Sequence, residues 1–454
     1  MQLEVLASAL TPVDVLNRAP VEIADLAYDT RSVRSGALFF CVRGSLFDGH
    51  DLAGDAVARG AVALVVEREL AVDVPQLVVA DSRRSMAPAA VTFFGGPSRE
   101  LDVAAVTGTN GKTTTAFLLH AILREAGRRP GLLTNIERRV GGEVRPVQLN
   151  TPEAIDLQRL FREMLAAGDR TCVMEATSHA SAQGRLGGTR FAVLVFTNLS
   201  HEHLDFHGTM EAYFDAKRSL FAQAEQAIVN VGNEWGRRLA AELPDAITFD
   251  VGVDRLDAEL KLQGRFNLEN ALGAAAAARA LGVDDAAIAR GIESVRVVPG
   301  RFEEVDEGQP FRVIVDYSHK PDALENVLRA ARELARGRVL CVFGCGGDRD
   351  RAKRPVMGRI AAELADRAIA TSDNPRSEDP LAIIDEILAG APELEVEPDR
   401  RAAIELAVGA AREGDVVLIA GKGHEQGQEI AGTIRPFDDR DVAREALRAL
   451  RAHA

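Results

Sequence analysis

The apolar positions of this chain change their spacing along its length, and the changes divide it into three blocks. Up to about residue 97, short apolar stretches alternate with turn residues: ALFFCV (37–42), AVALVVE (61–67) and PQLVVA (75–80). Such runs read as short buried strands. FFGGPSRE (93–100) follows, and its Gly-Gly-Pro-Ser core is linker material. From Leu101, the strand-like runs LDVAAV (101–106), TCVMEAT (171–177), FAVLVFTNL (191–199) and QAIVNVG (226–232) alternate with the helical patterns TTTAFLLHAILREAG (113–127) and DLQRLFREMLAAG (156–168). The alternation predicts a parallel sheet covered by helices. The block closes on the Ala-rich helix NLENALGAAAAARALG (267–282), a pattern for close packing.

A third block starts near Val298-Pro299-Gly300. Its strands FRVIVDYS (311–318), RVLCVFGCG (338–346), RAIATSDN (367–374) and DVVLIAGKG (415–423) all end in polar, charged or glycine-rich residues. Ligands of open α/β sheets sit beyond the carboxyl ends of strands, so these four ends are candidate chemistry. The expected fold is α/β in three domains, 1–97, 98–298 and 299–454: a small α/β domain, a central parallel sheet and a Rossmann-like third domain.

Composition narrows the ligand classes. A chain of 454 residues is long enough for two to four cores. A net charge of −14 and 5% aromatics argue against a nucleic-acid surface or a general anionic-membrane binder, so any phosphate must be held by local features. No apolar run approaches the length of a membrane span, and no N-terminal stretch reads as a signal peptide. Cys41, Cys172, Cys341 and Cys345 lack the neighbours a metal site needs and read as buried reduced thiols. The expectation is a cytoplasmic protein.

One motif carries chemistry by itself. Val106 leads through Gly108, Thr109, Asn110 and Gly111 to Lys112, Thr113 and Thr114, where a helix opens. Backbone N–H groups of such a loop surround phosphate oxygens, the helix N-terminus favours negative charge, the lysine neutralises it and a hydroxyl can ligate Mg²⁺. Only Thr109 and Asn110 separate the first glycine from the Gly-Lys pair, so this is a short variant of the phosphate loop.

GTNGKTT in this form resembles the Mur ligases and the related folylpolyglutamate synthetases. The resemblance runs through nearly the whole chain in order. AYDTRSVRSGALFFCVRGSLFDGHDL (27–52) is similar to the uridine-nucleotide domain of the tripeptide-forming members. NTPEAIDLQ, MEATSHASAQGR, TNLSHEHLDFHGTMEAYFDAKRSLF and GRFNLENAL follow in the middle, then VPGRFE, VDYSHKPDALE, FGCGGDRDRAKRPVMG, SDNPRSEDP and AGKGHE. The resemblance implies an ATP-dependent ligase that activates a carboxylate as an acyl phosphate and lets an amine attack it.

It also implies roles. Thr113, Glu175 and His203 match the family's Mg²⁺ sites, and Lys217 matches a lysine that CO₂ converts to a carbamate able to support a second Mg²⁺. Alone, Lys217 would read as a surface helix lysine. Lys112, Glu175, His203 and Lys217 form the implied catalytic set. Asn267 and Asn270 match an adenine-binding pair, with helix capping the alternative for Asn267. Asp316 and His319 match residues near the ribose or a water-linked metal. Thr30, Asn150, Thr151, Thr177, Gln183 and Arg185 match contacts to a UDP-linked muramoyl dipeptide. Arg349, Asp373, Asn374, Pro375, Arg376, Gly421 and Glu425 match the site for meso-diaminopimelate. There the Arg376 guanidinium would grip the distal carboxylate that lysine lacks, and Glu425 would pair the distal ammonium.

Thr30, Asn150 and Thr177 stand where Ser, Thr and Ser are usual, Lys320 stands where Thr is common, and the segment 249–264 is short. A sister ligase using L-lysine or another amino acid, or a silent paralogue that binds the UDP-precursor, are the rival readings. A folylpolyglutamate synthetase would need neither the first block nor DNPR. A monomer is expected.

Overall fold

The computed structural model describes residues 1–44, 47–147 and 149–452. Ser45 and Leu46, within the first-block motif, lie outside the described residues, as do the last two residues of the third block. Three α/β sheets follow one another along the chain.

The first has five strands in the order Asp14–Leu16, Gln76–Val78, Ala61–Val66, Ala37–Phe40, Asp25–Ala27. Only the Asp14–Leu16 edge is antiparallel. The two outer strands are polar enough that no apolar run announces them. Helices Leu3–Leu10 and Ser82–Phe93 bury Leu6, Met86 and Ala90 against Leu38, Phe40 and Val65, and Ile155 of the central region enters the same core.

The central sheet has eight strands. Six run parallel in the order Ile247–Phe249, Ala224–Asn230, Phe191–Phe196, Asp102–Thr107, Thr171–Glu175, Pro130–Leu133. An antiparallel hairpin, Arg138–Val140 and Glu143–Arg145, completes it. Strand alternation sends Ala104 and Val106 to one face and Val103 and Ala105 to the other. On the first face, helices Lys112–Glu125, Arg265–Ala280 and Asp285–Ser294 pack so closely that a Cβ on Gly291 would lie 2.4 Å from Ile122 Cα. The alanine run supplies that small surface: Ala271, Ala274, Ala275, Ala277 and Ala278 are all buried. Helices Ala154–Ala167, Met210–Arg218 and Glu234–Glu242 cover the opposite face. Between Phe249 and Arg265 the described residues form turns without a strand, which matches the shortness of that segment.

The third sheet has the order Glu303–Glu304, Arg312–Asp316, Val416–Ala420, Val339–Phe343, Arg367–Ala370, Glu395–Val396, parallel except at the Glu303–Glu304 edge. Helices cover both faces. All four cysteines are buried free thiols, and burial pushes Cys341 and Cys345 up to about 12. No helix among the described residues is long and apolar enough to cross a membrane.

Candidate functional site

The phosphate loop leaves the central strand Asp102–Thr107 and enters the helix Lys112–Glu125. Its two glycines are required by space as well as by backbone. Gly108 has φ +142° and a Cβ there would fall 1.9 Å from Thr197 Oγ1; Gly111 has φ +85° and a Cβ would fall 2.2 Å from Asn270 Oδ1. Thr197 and Asn198, at the end of the neighbouring strand, fix the loop: Thr197 Oγ1 donates to Asn110 O (2.7 Å), and Asn110 N donates to Asn198 Oδ1 (2.9 Å). Lys112 Nζ donates to Gly108 O (3.0 Å) and Thr109 O (2.8 Å). Burial, with Lys320 nearby, lowers Lys112 to about 8.

Thr113 and Glu175 meet directly. Thr113 Oγ1 donates to Glu175 Oε1 (2.9 Å), and Asn135 N donates to the same oxygen (3.1 Å). Arg301 Nη2 reaches Thr113 Oγ1 (3.0 Å), with its guanidinium 4.5 Å over the Tyr317 ring. His203 and Lys217 stand on the other side of the loop, around Tyr213. The Lys217 Nζ lies 4.6 Å from the Tyr213 ring centre and donates to Gly108 O (2.8 Å). Lys217 is 1% exposed, and burial, then Lys112, drives its amine well below the usual lysine range. It is therefore the opposite of the surface lysine its sequence context suggests. His203 sits at φ +56°, with Nε2 3.4 Å from Glu202 Oε2, and burial pushes its imidazole down to about 2. No group of three or more His, Cys, Asp or Glu gathers in metal-binding array among the described residues. The hard oxygens of Thr113, in the first turn of the loop helix, and of Glu175, at the end of its strand, nevertheless suit Mg²⁺.

Asn267 lies inside the helix that Gly264 begins, so it is not the cap; its Nδ2 donates to Gln263 O (2.7 Å), and Asn270 Nδ2 donates to Asn267 Oδ1 (3.2 Å). Asn270 thus links the amide pair to Gly111. Asp316 is committed within the protein: Oδ2 accepts from Phe302 N (2.7 Å) and Oδ1 from Ser318 N (2.7 Å), while burial raises its carboxyl. His319 Nδ1 contacts Tyr317 O (2.7 Å). Thr114 is buried in the first turn of the loop helix.

Four of the six residues assigned to the UDP-precursor form one cluster. Thr151 Oγ1 donates to Glu175 O (2.8 Å) and lies 3.2 Å from Thr177 Oγ1. Arg185 donates to Thr151 O (3.1 Å) and Gln183 Oε1 (2.6 Å), and its Nε lies 3.2 Å from Glu153 Oε1. Asn150 is exposed beside them. Thr30 opens a 3₁₀ turn in the first sheet's region and makes no side-chain hydrogen bond to this cluster. The two regions are joined nearby by Tyr28 Oη to Asp156 (2.5 Å) and Arg83 to Glu153 (2.6 Å).

Residues 373–376 and 421–425 adjoin at the ends of the third sheet. Asn374 Nδ2 donates to Glu425 Oε2 (2.8 Å), and the fully buried Lys422 donates to Asn374 Oδ1 (2.9 Å) and Glu425 Oε2 (3.1 Å). Gly421, at φ +126°, leaves room for Asp373: a Cβ would lie 2.5 Å from Asp373 Oδ2, a buried oxygen with no hydrogen-bond partner. Arg376, at φ +55°, donates from Nη1 to Gly347 O (2.6 Å) beyond Pro375. Arg349 lies on the facing loop, exposed, with Nη1 on Asp348 O (3.0 Å). Neither arginine bonds to the phosphate loop. Arg354 ties the two arginine-bearing loops together, donating to Glu378 (2.8 and 2.9 Å) and Gly346 O (3.2 Å).

The motif reading passes over Asn135, Glu202, Arg301, Asp322, Arg354 and Lys422. All but Asn135 lie within the quoted motifs, with Asp322 and Arg354 in the first turns of helices, and no local pattern sets them apart from their neighbours. The third domain's region meets the phosphate loop through Asp322, which accepts from Asn110 Nδ2 and Ser200 Oγ, and meets the segment after the strand Pro130–Leu133 through His424, whose Nε2 is 3.2 Å from Asn135 O.

Comparison with known proteins covers the same ground. The chain matches the Mur ligase family's catalytic domain over residues 22–93, the Mur ligase middle domain over 106–253 and the Mur ligase glutamate ligase domain over 300–423. It is 46% identical to the UDP-N-acetylmuramoyl-L-alanyl-D-glutamate--2,6-diaminopimelate ligase of Geobacillus kaustophilus (strain HTA426), over 94% of this chain and 95% of that one. A solved structure of a ligase of that same name is 30% identical, with TM-score 0.64 over 95% and 96% of the two chains. MurF ligase from Thermotoga maritima, in complex with ADP, shares the fold at 21% identity, TM-score 0.67, over 95% and 98%.

Proposed function

Because the chain belongs to the Mur ligase family, we propose that it joins meso-2,6-diaminopimelate to UDP-N-acetylmuramoyl-L-alanyl-D-glutamate, with ATP as the energy source, in peptidoglycan precursor synthesis. The observation that carries the choice of acceptor is the placement of Arg376 beside the Asn374–Lys422–Glu425 network, linked to it through Glu429, whose O accepts from Arg376 N and whose N donates to Asn374 Oδ1. Glu425 Oε2 is taken by two protein donors, which leaves Oε1 for an ammonium. Arg376 offers a planar cation for a carboxylate. A two-headed amino acid satisfies both; lysine leaves the guanidinium without its anion.

In this reading the nucleotide phosphates lie on the N–H groups of residues 108–113, and Lys112 moves from its loop carbonyls to the phosphate oxygens. The glutamate carboxylate of the precursor, held by Thr151, Thr177 and Arg185, attacks the γ-phosphorus. The bond to the bridging oxygen breaks, giving ADP and an acyl phosphate. The diaminopimelate amine then attacks the acyl carbon, phosphate leaves and the amine loses a proton. Mg²⁺, when bound at Thr113 and Glu175, neutralises charge that builds on the phosphoryl oxygens. Lys217 suits carbamate formation because its buried amine is driven toward the neutral, nucleophilic form. The carbamate carboxylate would add an anionic oxygen ligand beside His203. A monomeric cytoplasmic enzyme accords with this reading.

The test is phosphate release and product mass with the UDP-dipeptide and ATP, run in parallel with meso-diaminopimelate and with L-lysine. Strong preference for diaminopimelate is expected. Equal turnover with lysine would overturn the acceptor assignment, and no turnover with any amino acid would favour a silent precursor-binding protein.

A further inference from the structure

Lys320 belongs to the third block by sequence and to the phosphate loop by position. It stands immediately before the helix Pro321–Leu334, yet its side chain crosses to the central sheet. The side chain is only 11% exposed; its ammonium is ion-paired with Glu202 and lies 3.5 Å from Thr109 O. The same stretch of loop already receives two other lysines, Lys112 on Gly108 O and Thr109 O and Lys217 on Gly108 O. Three lysine side chains therefore converge on two adjacent carbonyls of a glycine loop, with Lys217 driven toward its neutral form and Lys112 and Lys320 left as the cations.

Carbonyl dipoles are weak compensation for two like charges brought out of water. A buried cation needs an anion with good geometry, and Glu202 supplies one to Lys320. Lys112, by contrast, rests on carbonyl oxygens alone, in the place where a phosphate loop receives negative charge. Asp322, two residues beyond Lys320, is bonded to Asn110 and Ser200, so the backbone that carries Lys320 is anchored to the loop independently of the lysine.

We propose that Lys320 is a phosphoryl-contacting residue supplied across the domain boundary, passing from Glu202 to a γ-phosphate oxygen when nucleotide occupies the loop. It keeps its protons throughout. As the γ-phosphorus leaves the bridging oxygen of ADP for the substrate carboxylate oxygen, the ammonium stabilises the charge spread over the phosphoryl oxygens, the role that cations supplied from a second element play in phosphoryl transfer. Phosphate contact and seating of the third domain then become one event. This rests on the ligase reading above.

The experiment compares the full-length protein with Lys320→Met and Lys320→Arg, by calorimetric binding of ADP and of a non-hydrolysable ATP analogue with Mg²⁺, and by steady-state turnover. Lys320→Met should weaken the analogue about 10-fold more than ADP and lower kcat about 100-fold, with KM for diaminopimelate within about twofold. Lys320→Arg should recover most of both. Equal losses for ADP and the analogue, or kcat within about twofold of the parent, would reduce Lys320 to a structural partner of Glu202 and overturn the proposal. Melting curves report folding; should the methionine variant not fold, Lys320→Gln carries the same comparison. The binding arm needs no acceptor amino acid, so a protein that makes no diaminopimelate product would sink the ligase reading and leave this comparison standing.

Discussion

The phosphate loop and the paired loops of the third sheet both lie beyond the carboxyl ends of parallel strands, but they handle charge differently. Around the loop, Lys112, Arg301 and the buried amine of Lys217 rest on carbonyl and hydroxyl oxygens, and Lys320 pairs with Glu202. At the third sheet, cations and anions interleave: Lys422 with Glu425, Arg354 with Glu378, and Arg400 with Asp439. The first arrangement awaits a polyanion. The second is more evenly balanced, with Arg376 on Gly347 O and 3.7 Å from Glu429 and with one Glu425 oxygen away from the Asn374 and Lys422 donors, a mixture of signs that suits a zwitterion. Net charge around a site thus discriminates ligand class before any ligand is seen.

The comparison breaks most visibly at Lys112. Lys112→Ala should lower ATP-dependent amide formation about 1,000-fold or more, with the melting temperature near that of the parent. Full turnover of that variant would remove the phosphate role. At the third sheet the largest effect is on stability. Arg400 and Asp439 are fully buried and paired at 2.7 Å, and Arg400 also holds Ala420 O (3.0 Å). Arg400→Met strands a buried carboxylate and should cost about 3–5 kcal/mol in urea unfolding; an unchanged midpoint would show that the pair contributes little.

Arg376→Lys sharpens the contrast. It keeps a positive charge but loses the planar fork, so kcat/KM for diaminopimelate should fall about 10- to 100-fold while that for lysine changes little. An unchanged ratio of the two would place the distal carboxylate elsewhere. The smallest effect is acid loosening of the two arginine-bearing loops. Hydrogen bonds from Arg354 hold the Glu378 carboxyl at about 2 rather than the usual 4.5. A depressed carboxylate contributes stability that is complete above pH 4.5 and lost as pH falls toward 2. Glu378→Gln should therefore melt about 2 °C below the parent at pH 7, with the gap closing on acidification through that window. A gap that persists at pH 2 would mean the loss is not electrostatic.

Particular residues mark how far the sequence carries. The strands Ala37–Phe40, Ala61–Val66, Asp102–Thr107 and Val416–Ala420 are legible because each is a continuous apolar run buried on both faces. Asp14–Leu16, Asp25–Ala27 and Glu303–Glu304 are not, because edge strands need little apolar surface and take their register from a partner. Asn267 illustrates the same limit at a helix end, where Gly264 takes the capping position.

The sequence by itself determined the α/β class, the phosphate loop and the ordered motifs, since period, glycine placement and strand-end polarity are local properties that each segment carries alone. Only the tertiary structure decided that Lys217 is buried, that Lys320 faces the loop of another sheet, and that Lys422 and Arg354 brace the proposed acceptor residues. Those facts depend on which distant segments the folded chain brings within a few ångströms, and charge compensation over such distances leaves no period or spacing in the chain to read.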